Sequence, residues 1–193
     1  MTDAATTDPT TRDNPVSTFG WPILIFAGLV LVGLAQASWG TSDQGIQLGI
    51  DGLGGVSAGD AAADAQAIFS PHTLRPALVT VILGAIVFAL AACGWWVQRS
   101  RPIVAGVAGF IVALVGIGVA GYGGYLRADL TRHLLDDYVV NSPDLPAGLL
   151  DDLLDPGWGL IATIVVGAVI AVVGIVVGVT SIRQGRTRAT PTG

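Results

Sequence analysis

Hydrophobic positions fall along this chain in four long unbroken runs, separated by segments of a different pattern. The runs cover residues 21–38, 76–97, 102–125 and 157–180, and none contains Asp, Glu, Arg, Lys or His. At 1.5 Å per residue, a helix over each run is about 27–36 Å long, enough for a hydrocarbon core of about 30 Å. In lipid such a run must be helical, because only a helix satisfies its own backbone hydrogen bonds. The pattern predicts an all-α integral membrane protein, a four-transmembrane-helix bundle with outer loops over 39–75 and 126–156. The first run is the shortest, and Ala35-Gln36-Ala37 resembles a signal-peptidase site. Asp3, Asp8 and Asp13 outnumber Arg12 ahead of it, where a signal peptide carries positive charge, so an uncleaved span is expected. Pro22, Pro76 and Pro102 stand at the predicted starts, where a missing N–H costs nothing.

Between the runs the periodicity changes. Ile46, Leu48 and Ile50 alternate with polar or Gly positions ahead of Gly52-Leu53-Gly54-Gly55, which predicts a short strand and a turn. DAAADAQAIFSP (60–71) then predicts a helical turn or two. In the second loop Leu126, Leu130, Leu134 and Tyr138 share one helical face, with Asp129, Arg132, Asp136 and Asp137 off it. Leu149, Leu150, Leu153 and Leu154 repeat the idea after Asp144, a candidate N-cap. Two short amphipathic helices over the outer mouth are expected. Their polar faces are acidic, so they suit packing on this protein or a partner better than anionic lipid.

Composition agrees with the pattern. Hydrophobic residues make up 52% and charged residues 12%, with a mean hydropathy of +0.69, against about 25% charged in soluble domains. All nine basic residues are Arg and all fourteen acidic ones Asp, a bias expected of a GC-rich bacterial genome. A net charge of −5 argues against nucleic acid as a partner. One cysteine excludes an internal disulfide and any Cys-based zinc site. Arginine sets the orientation. Arg12, Arg99, Arg101, Arg183, Arg186 and Arg188 lie on one side, against Arg75, Arg127 and Arg132 on the other. Both termini are therefore expected in the cytoplasm of a bacterial cell, as a disordered tail over 1–20 and a second tail over 181–193 of a multi-pass plasma-membrane protein.

Candidate chemistry is sparse. Leu90-Ala91-Ala92-Cys93 matches a lipobox, but it precedes the cytoplasmic turn, so Cys93 reads as a small buried residue beside Gly94. The runs lack the charged groups that proton pumps and many ion-coupled carriers use. Their polar inventory is Gln36, Ser38, Thr80, Cys93, Tyr122 and Thr163, with Gln36 read as interhelical glue or a solvated cap. Small residues form two stripes: Gly109, Ala113, Gly116, Ala120 and Gly124 in the third run, and Gly167, Ala171, Gly174 and Gly178 in the fourth. Such stripes let backbones approach closely; they are expected to pack inside the bundle, with a partner face as the other use. Trp21, Trp95 and Trp96 mark inner ends and Trp39, Tyr125 and Trp158 outer ends, as interfacial anchors. The Trp95-Trp96 pair reads as an anchor rather than a ligand platform.

Outside, Asp136-Asp137 and Asp151-Asp152 are adjacent, so on a helix they diverge by about 100° and make no carboxylate dyad. Asp51-Gly52 is a weak fragment of a calcium loop. His133 lies four residues from both Asp129 and Asp137 and could join a metal site, though a solvated face explains it better. An outer enzymatic cleft would draw on His72, Arg75, Arg127 or His133. No H-E-x-x-H, G-x-S-x-G or P-loop is present. No catalytic residue, cofactor or metal is expected.

Some features act together: Trp39 after the first run, GWW at 94–96, GYGGY at 121–125, and GWGLIATIVVGAVIAVVG at 157–174. Over residues 21–180 the layout resembles the actinobacterial four-span tryptophan-associated (trp-region) membrane proteins. That resemblance implies a four-span membrane fold and, since the family has no established activity, no site residues. The order of long outer loop, short inner turn and second outer loop also looks like claudin-type proteins, whose paired loop cysteines are missing here. The expected function is a non-enzymatic accessory or scaffolding subunit of a cell-envelope complex. The other expectation is an oligomeric transport or channel component for an uncharged substrate. Partners would be the lipid bilayer and either a membrane protein or further copies of the chain.

Overall fold

The computed structural model describes residues 15–42, 48–59, 62–135 and 154–189. The chain runs α1 (Pro15–Leu34), β1 (Ser38–Ser42), β2 (Leu48–Asp51), β3 (Val56–Ala58), α2 (Ala62–Phe69) and a 3-10 turn (Ser70–His72). It continues α3 (Ala77–Val97), α4 (Pro102–Ala128), α5 (Leu130–Leu134), β4 (Asp155–Pro156) and α6 (Trp158–Ala189). Three segments are long and apolar enough to cross a membrane: Ala77–Val97, Pro102–Ala128 and Trp158–Thr187. The apolar part of α1, Phe19–Leu34, is shorter. It packs against α3 and α6, and α4 packs against the same two helices. The four long helices close into an up-and-down ring.

These helices are apolar on every side. Trp21, Leu24, Leu31, Val87, Ala91, Val112, Val119, Ile170 and Val177 form a core between them. Phe19, Phe26, Ile82, Leu114, Val165 and Val172 are exposed on the outside. A helix that is hydrophobic all round needs an apolar surrounding as well as an apolar core.

Several boundaries differ from the sequence reading. α1 starts at Pro15, ahead of the expected Trp21, which leaves Pro22 inside the helix and corrects its reading as a boundary. Its ring nitrogen offers no hydrogen to the carbonyl of Thr18. The first run was expected to stay helical to Ser38. Instead Gln36 N–H and Ala37 N–H each bond three residues back, at 3.1 Å to Gly33 and Leu34, and the chain leaves the helix. α6 continues past Thr180 to Ala189, because the arginines that end the apolar run are good helix formers.

The all-α expectation is corrected by a four-stranded antiparallel sheet of order β3-β2-β1-β4. Gly40 pairs with Ile50 and Ser42 with Leu48; Leu48 and Ile50 pair in turn with Ala58 and Val56; Gly40 also pairs with Pro156. Alternation puts Leu48 and Ile50 on the buried face and Gly49 and Asp51 on the other. Since β1 follows α1 and β4 precedes α6, the sheet ties those two helices at one end of the ring.

The rest of that end is stitched to the sheet. Ala77 N–H donates to Gly52 O at 2.9 Å, Leu74 N–H to Leu134 O at 2.8 Å and Gly157 N–H to Trp39 O at 2.8 Å. Beneath the sheet Trp39, Leu48, Ile50, Leu126, Leu130, Leu134, Leu135, Leu154 and Leu160 form a second buried core. α4 breaks at Asp129 (φ −147°, ψ 68°) and α5 follows at once, so Leu126, Leu130 and Leu134 all reach this core. Tyr138, Leu149, Leu150, Leu153 and Asp136, Asp137, Asp144, Asp151 and Asp152 lie outside the described residues.

The turn joining β2 to β3 shows how local sequence builds this cap. Asp51 Oδ1 accepts from Leu53 N–H at 2.8 Å and Gly55 N–H at 2.7 Å, and Gly54 sits at φ +86°. Thr73 Oγ1 donates to Gly54 O at 2.8 Å and locks the turn to the start of α3. A Cβ on Gly54 would lie 2.8 Å from Thr73 Oγ1 as well as holding an unfavourable φ. Gly54→Ala is expected to destabilise the cap by about 1–3 kcal/mol, read as faster proteolysis at the sheet end in detergent.

Candidate functional site

The two small-residue stripes meet each other along the α4–α6 seam. A Cβ on Gly109 would lie 2.8 Å from Gly178 N, and one on Gly116 would lie 2.6 Å from Ala171 N and 2.7 Å from Gly167 O. A Cβ on Gly174 would come within 2.8 Å of Ala113 N, and one on Gly167 within 2.8 Å of Ala120 N. Backbone therefore lies on backbone, the geometry in which helices gain most from dispersion in lipid. Gly124 is the exception: open space surrounds it, and Gly123 instead packs on Ile164. The same seam extends to Gly106 against Gly178 O and Ile182.

A second close approach escaped the stripe pattern. A Cβ on Gly28 would lie 2.9 Å from Gly84 O, and one on Gly84 2.9 Å from Gly28 O, so α1 and α3 also touch backbone to backbone. Steps of four miss both glycines, but Gly84 shares a buried face with Ala77 and Ala91, seven residues to either side, a spacing that could have signalled it.

The tryptophans divide. Trp95, Trp96, Trp158 and Tyr125 are exposed at helix ends, as anchors should be. Trp21 and Trp39 are fully buried, which corrects their reading as anchors. The Trp21 indole fills the space at Gly94, where a Cβ would lie 2.3 Å from its ring. Trp39 Nε1–H donates to Leu34 O at 2.9 Å within the cap core. Cys93 is exposed, not buried, because Gly94 takes the inward position against Trp21 and its neighbour turns outward.

The remaining polar candidates are mostly internal to the fold. Thr163 Oγ1 donates to Gly159 O at 2.8 Å, one helical turn back, and Tyr122 Oη donates to Pro76 O at 3.3 Å. Gln36 is exposed in the turn after α1. Asp51 spends its carboxylate on the β2–β3 turn. His133 Nδ1 contacts the main-chain oxygen of Asp129, and its ring meets Tyr125 edge-on at 4.7 Å. The Asp129 carboxylate faces Arg132 at 3.6 Å, an exposed pair worth at most about 1 kcal/mol. Among the described residues no three His, Cys, Asp or Glu side chains gather as a metal site.

Two open grooves stand out among the described residues. One, of about 430 Å³ at the sheet end, is lined by Arg127, Asp129, Arg132, Leu154, Asp155 and Pro156. Of the four residues considered for an outer cleft only Arg127 lines it; His72, Arg75 and His133 do not. The other, of about 440 Å³ at the opposite end, is lined by Ala92, Trp95, Trp96 and Arg99. No protein-family model matches the chain, and no curated protein or solved structure is significantly similar to it.

Proposed function

We propose that this chain is a non-enzymatic integral membrane protein of the bacterial plasma membrane, serving as an accessory or scaffolding subunit of a cell-envelope complex. It crosses four times with both termini in the cytoplasm, and the sheet-bearing cap lies outside. α1 makes the fourth crossing: its 20 residues span about 30 Å, and it packs alongside α3 and α6.

One observation carries this reading: the long helices, free of charged side chains, meet backbone to backbone along two of their four seams. The α4–α6 and α1–α3 seams are closed by backbone contact, and residues 15–34, 77–97, 102–126 and 158–182 hold no charged side chain. Intramembrane ionisable groups are the usual mark of a transport path. The chain's polar and structural detail is concentrated instead in the cap, where the sheet, α5 and the starts of α3 and α6 share one buried core. A cap with its own buried core on a closely packed bundle suits the presentation of a surface to a neighbour.

The test is to tag the C-terminus, extract from the native host in a mild detergent, and identify co-purifying proteins by mass spectrometry. A stoichiometric membrane or envelope protein is expected. A homogeneous homo-oligomer that retains a small uncharged solute would replace this reading with transport.

A further inference from the structure

We propose that the groove formed by Ala92, Trp95, Trp96 and Arg99 is a binding site for the headgroup of an anionic phospholipid. The inference rests on the membrane reading above.

Spacing alone puts these four side chains together. They stand at i, i+3, i+4 and i+7, one face of the final turns of α3 and the turn beyond it. The groove has a volume of about 440 Å³. Its position is set by the sequence: the apolar run ends at Val97, and Gln98-Arg99-Ser100-Arg101 follows. It therefore straddles the level where acyl chains give way to headgroups. Trp96 is 87% exposed and Trp95 53% exposed, whereas Trp21 on the neighbouring helix is fully enclosed. The indoles at this end thus serve two purposes, and only the outward pair is open to lipid.

Charge selects the occupant. Arg99 lines the groove, Arg101 follows in the same turn, and Arg183 and Arg186 lie on the last turns of α6 at this end of the ring. Among the described residues of this end, 15–23, 94–106 and 177–189, there is no Asp or Glu. A guanidinium donates to a phosphate in bidentate fashion, and the indole faces and Ala92 offer apolar contact to the first methylenes of an acyl chain. A free phosphate would use the arginine alone and leave the tryptophan walls without a role. In the four-crossing topology Arg12, Arg99, Arg101, Arg183, Arg186 and Arg188 outnumber Asp3, Asp8 and Asp13 on this side, so a headgroup with net negative charge is favoured over a zwitterionic one.

The experiment uses the full-length protein purified in mild detergent, with thermal unfolding followed as lipid is added. Phosphatidylglycerol is expected to raise the melting temperature more than phosphatidylcholine at equal concentration, and native mass spectrometry should retain its adduct. Arg99→Gln should weaken phosphatidylglycerol binding by about fivefold or more, the effect of one basic side chain near an anionic surface, and Trp96→Ala should separately weaken it through lost apolar contact. Both side chains are exposed, so the variants should melt near the parent without lipid. Equal stabilisation by the two lipids, an unchanged response in both variants, or an equal effect of inorganic phosphate would each overturn the site. Extraction of native membranes with alkaline carbonate separates this failure from that of the underlying reading. Retention in the pellet keeps the membrane assignment whatever the lipid result, and release to the supernatant removes it.

Discussion

Gly116→Ala should destabilise this protein, and Gly118→Ala, two residues along the same helix, should not. In an ordinary helix interior alanine is favoured over glycine by about 0.5–1 kcal/mol. At Gly118 no atom lies within 4 Å of the new Cβ, so that preference is expressed and the variant should match or exceed the parent. At Gly116 the Cβ would lie 2.6 Å from Ala171 N and 2.7 Å from Gly167 O. Both are backbone atoms, so no rotamer change relieves the clash and the helices must separate. Separation here also loosens Gly109 against Gly178 and Gly123 against Ile164, since the seam is continuous. A net cost of about 1–3 kcal/mol is expected, measured as a lower melting temperature in detergent. If Gly118→Ala were the damaging change, the exposed side of α4 and not the α4–α6 seam would be the contact that matters.

Trp39→Ala should have the largest effect of any single substitution in the cap. The side chain is fully buried, its Nε1–H satisfies Leu34 O at 2.9 Å, and its ring fills the space over Gly52. Its main-chain oxygen also accepts from Gly157 N–H at 2.8 Å, so the residue joins the exit from α1, the sheet and the start of α6. Loss of a buried Trp costs about 3–5 kcal/mol. The two cores are distinct: Trp39 belongs to the one beneath the sheet, not to the one between the long helices. Hydrogen exchange should therefore rise in 38–42, 48–58 and 130–135 while the centres of α3, α4 and α6 stay protected. Uniform loss of protection would mean that cap and bundle unfold as one unit.

The contrast between the two cores explains what the sequence revealed. Apolar runs are legible because every charged residue in lipid is costly, so α3, α4 and the start of α6 could be read within a few residues, while α6 runs on past Thr180 to Ala189. The sheet was not legible as a sheet. Only β2 carries an alternating pattern, β3 and β4 are three and two residues long, and Thr41 meets Asp155 across 114 positions of chain. Without the sheet, a tryptophan just beyond an apolar run is naturally taken for an interfacial anchor; Trp39 became core because β1 folds it under the cap. Trp21 was misread for a related reason: its pocket is the missing side chain of Gly94 on another helix.

The seam shows the same limit at finer scale. Reading the third run in steps of four carries the face from Gly116 through Ala120 to Gly124, about 80° around the helix from the start. A step of seven drifts by only about 20°, and Gly123 is the residue that packs on Ile164. That Gly109, Gly116, Gly167 and Gly174 would face one another, rather than a separate subunit, depended on α4 and α6 being neighbours in the ring. Composition alone does not decide neighbours.

The most direct test of the four-crossing arrangement is cysteine accessibility in intact cells. In a Cys93→Ser background, single cysteines are placed at Thr7, Asp60 and Thr192 and treated with a membrane-impermeant maleimide. The account predicts labelling at Asp60 in intact cells, and at Thr7 and Thr192 only after the membrane is opened. Labelling of Thr7 from outside would mean that α1 does not cross, and labelling of Thr192 together with protection of Asp60 would invert the molecule in the membrane.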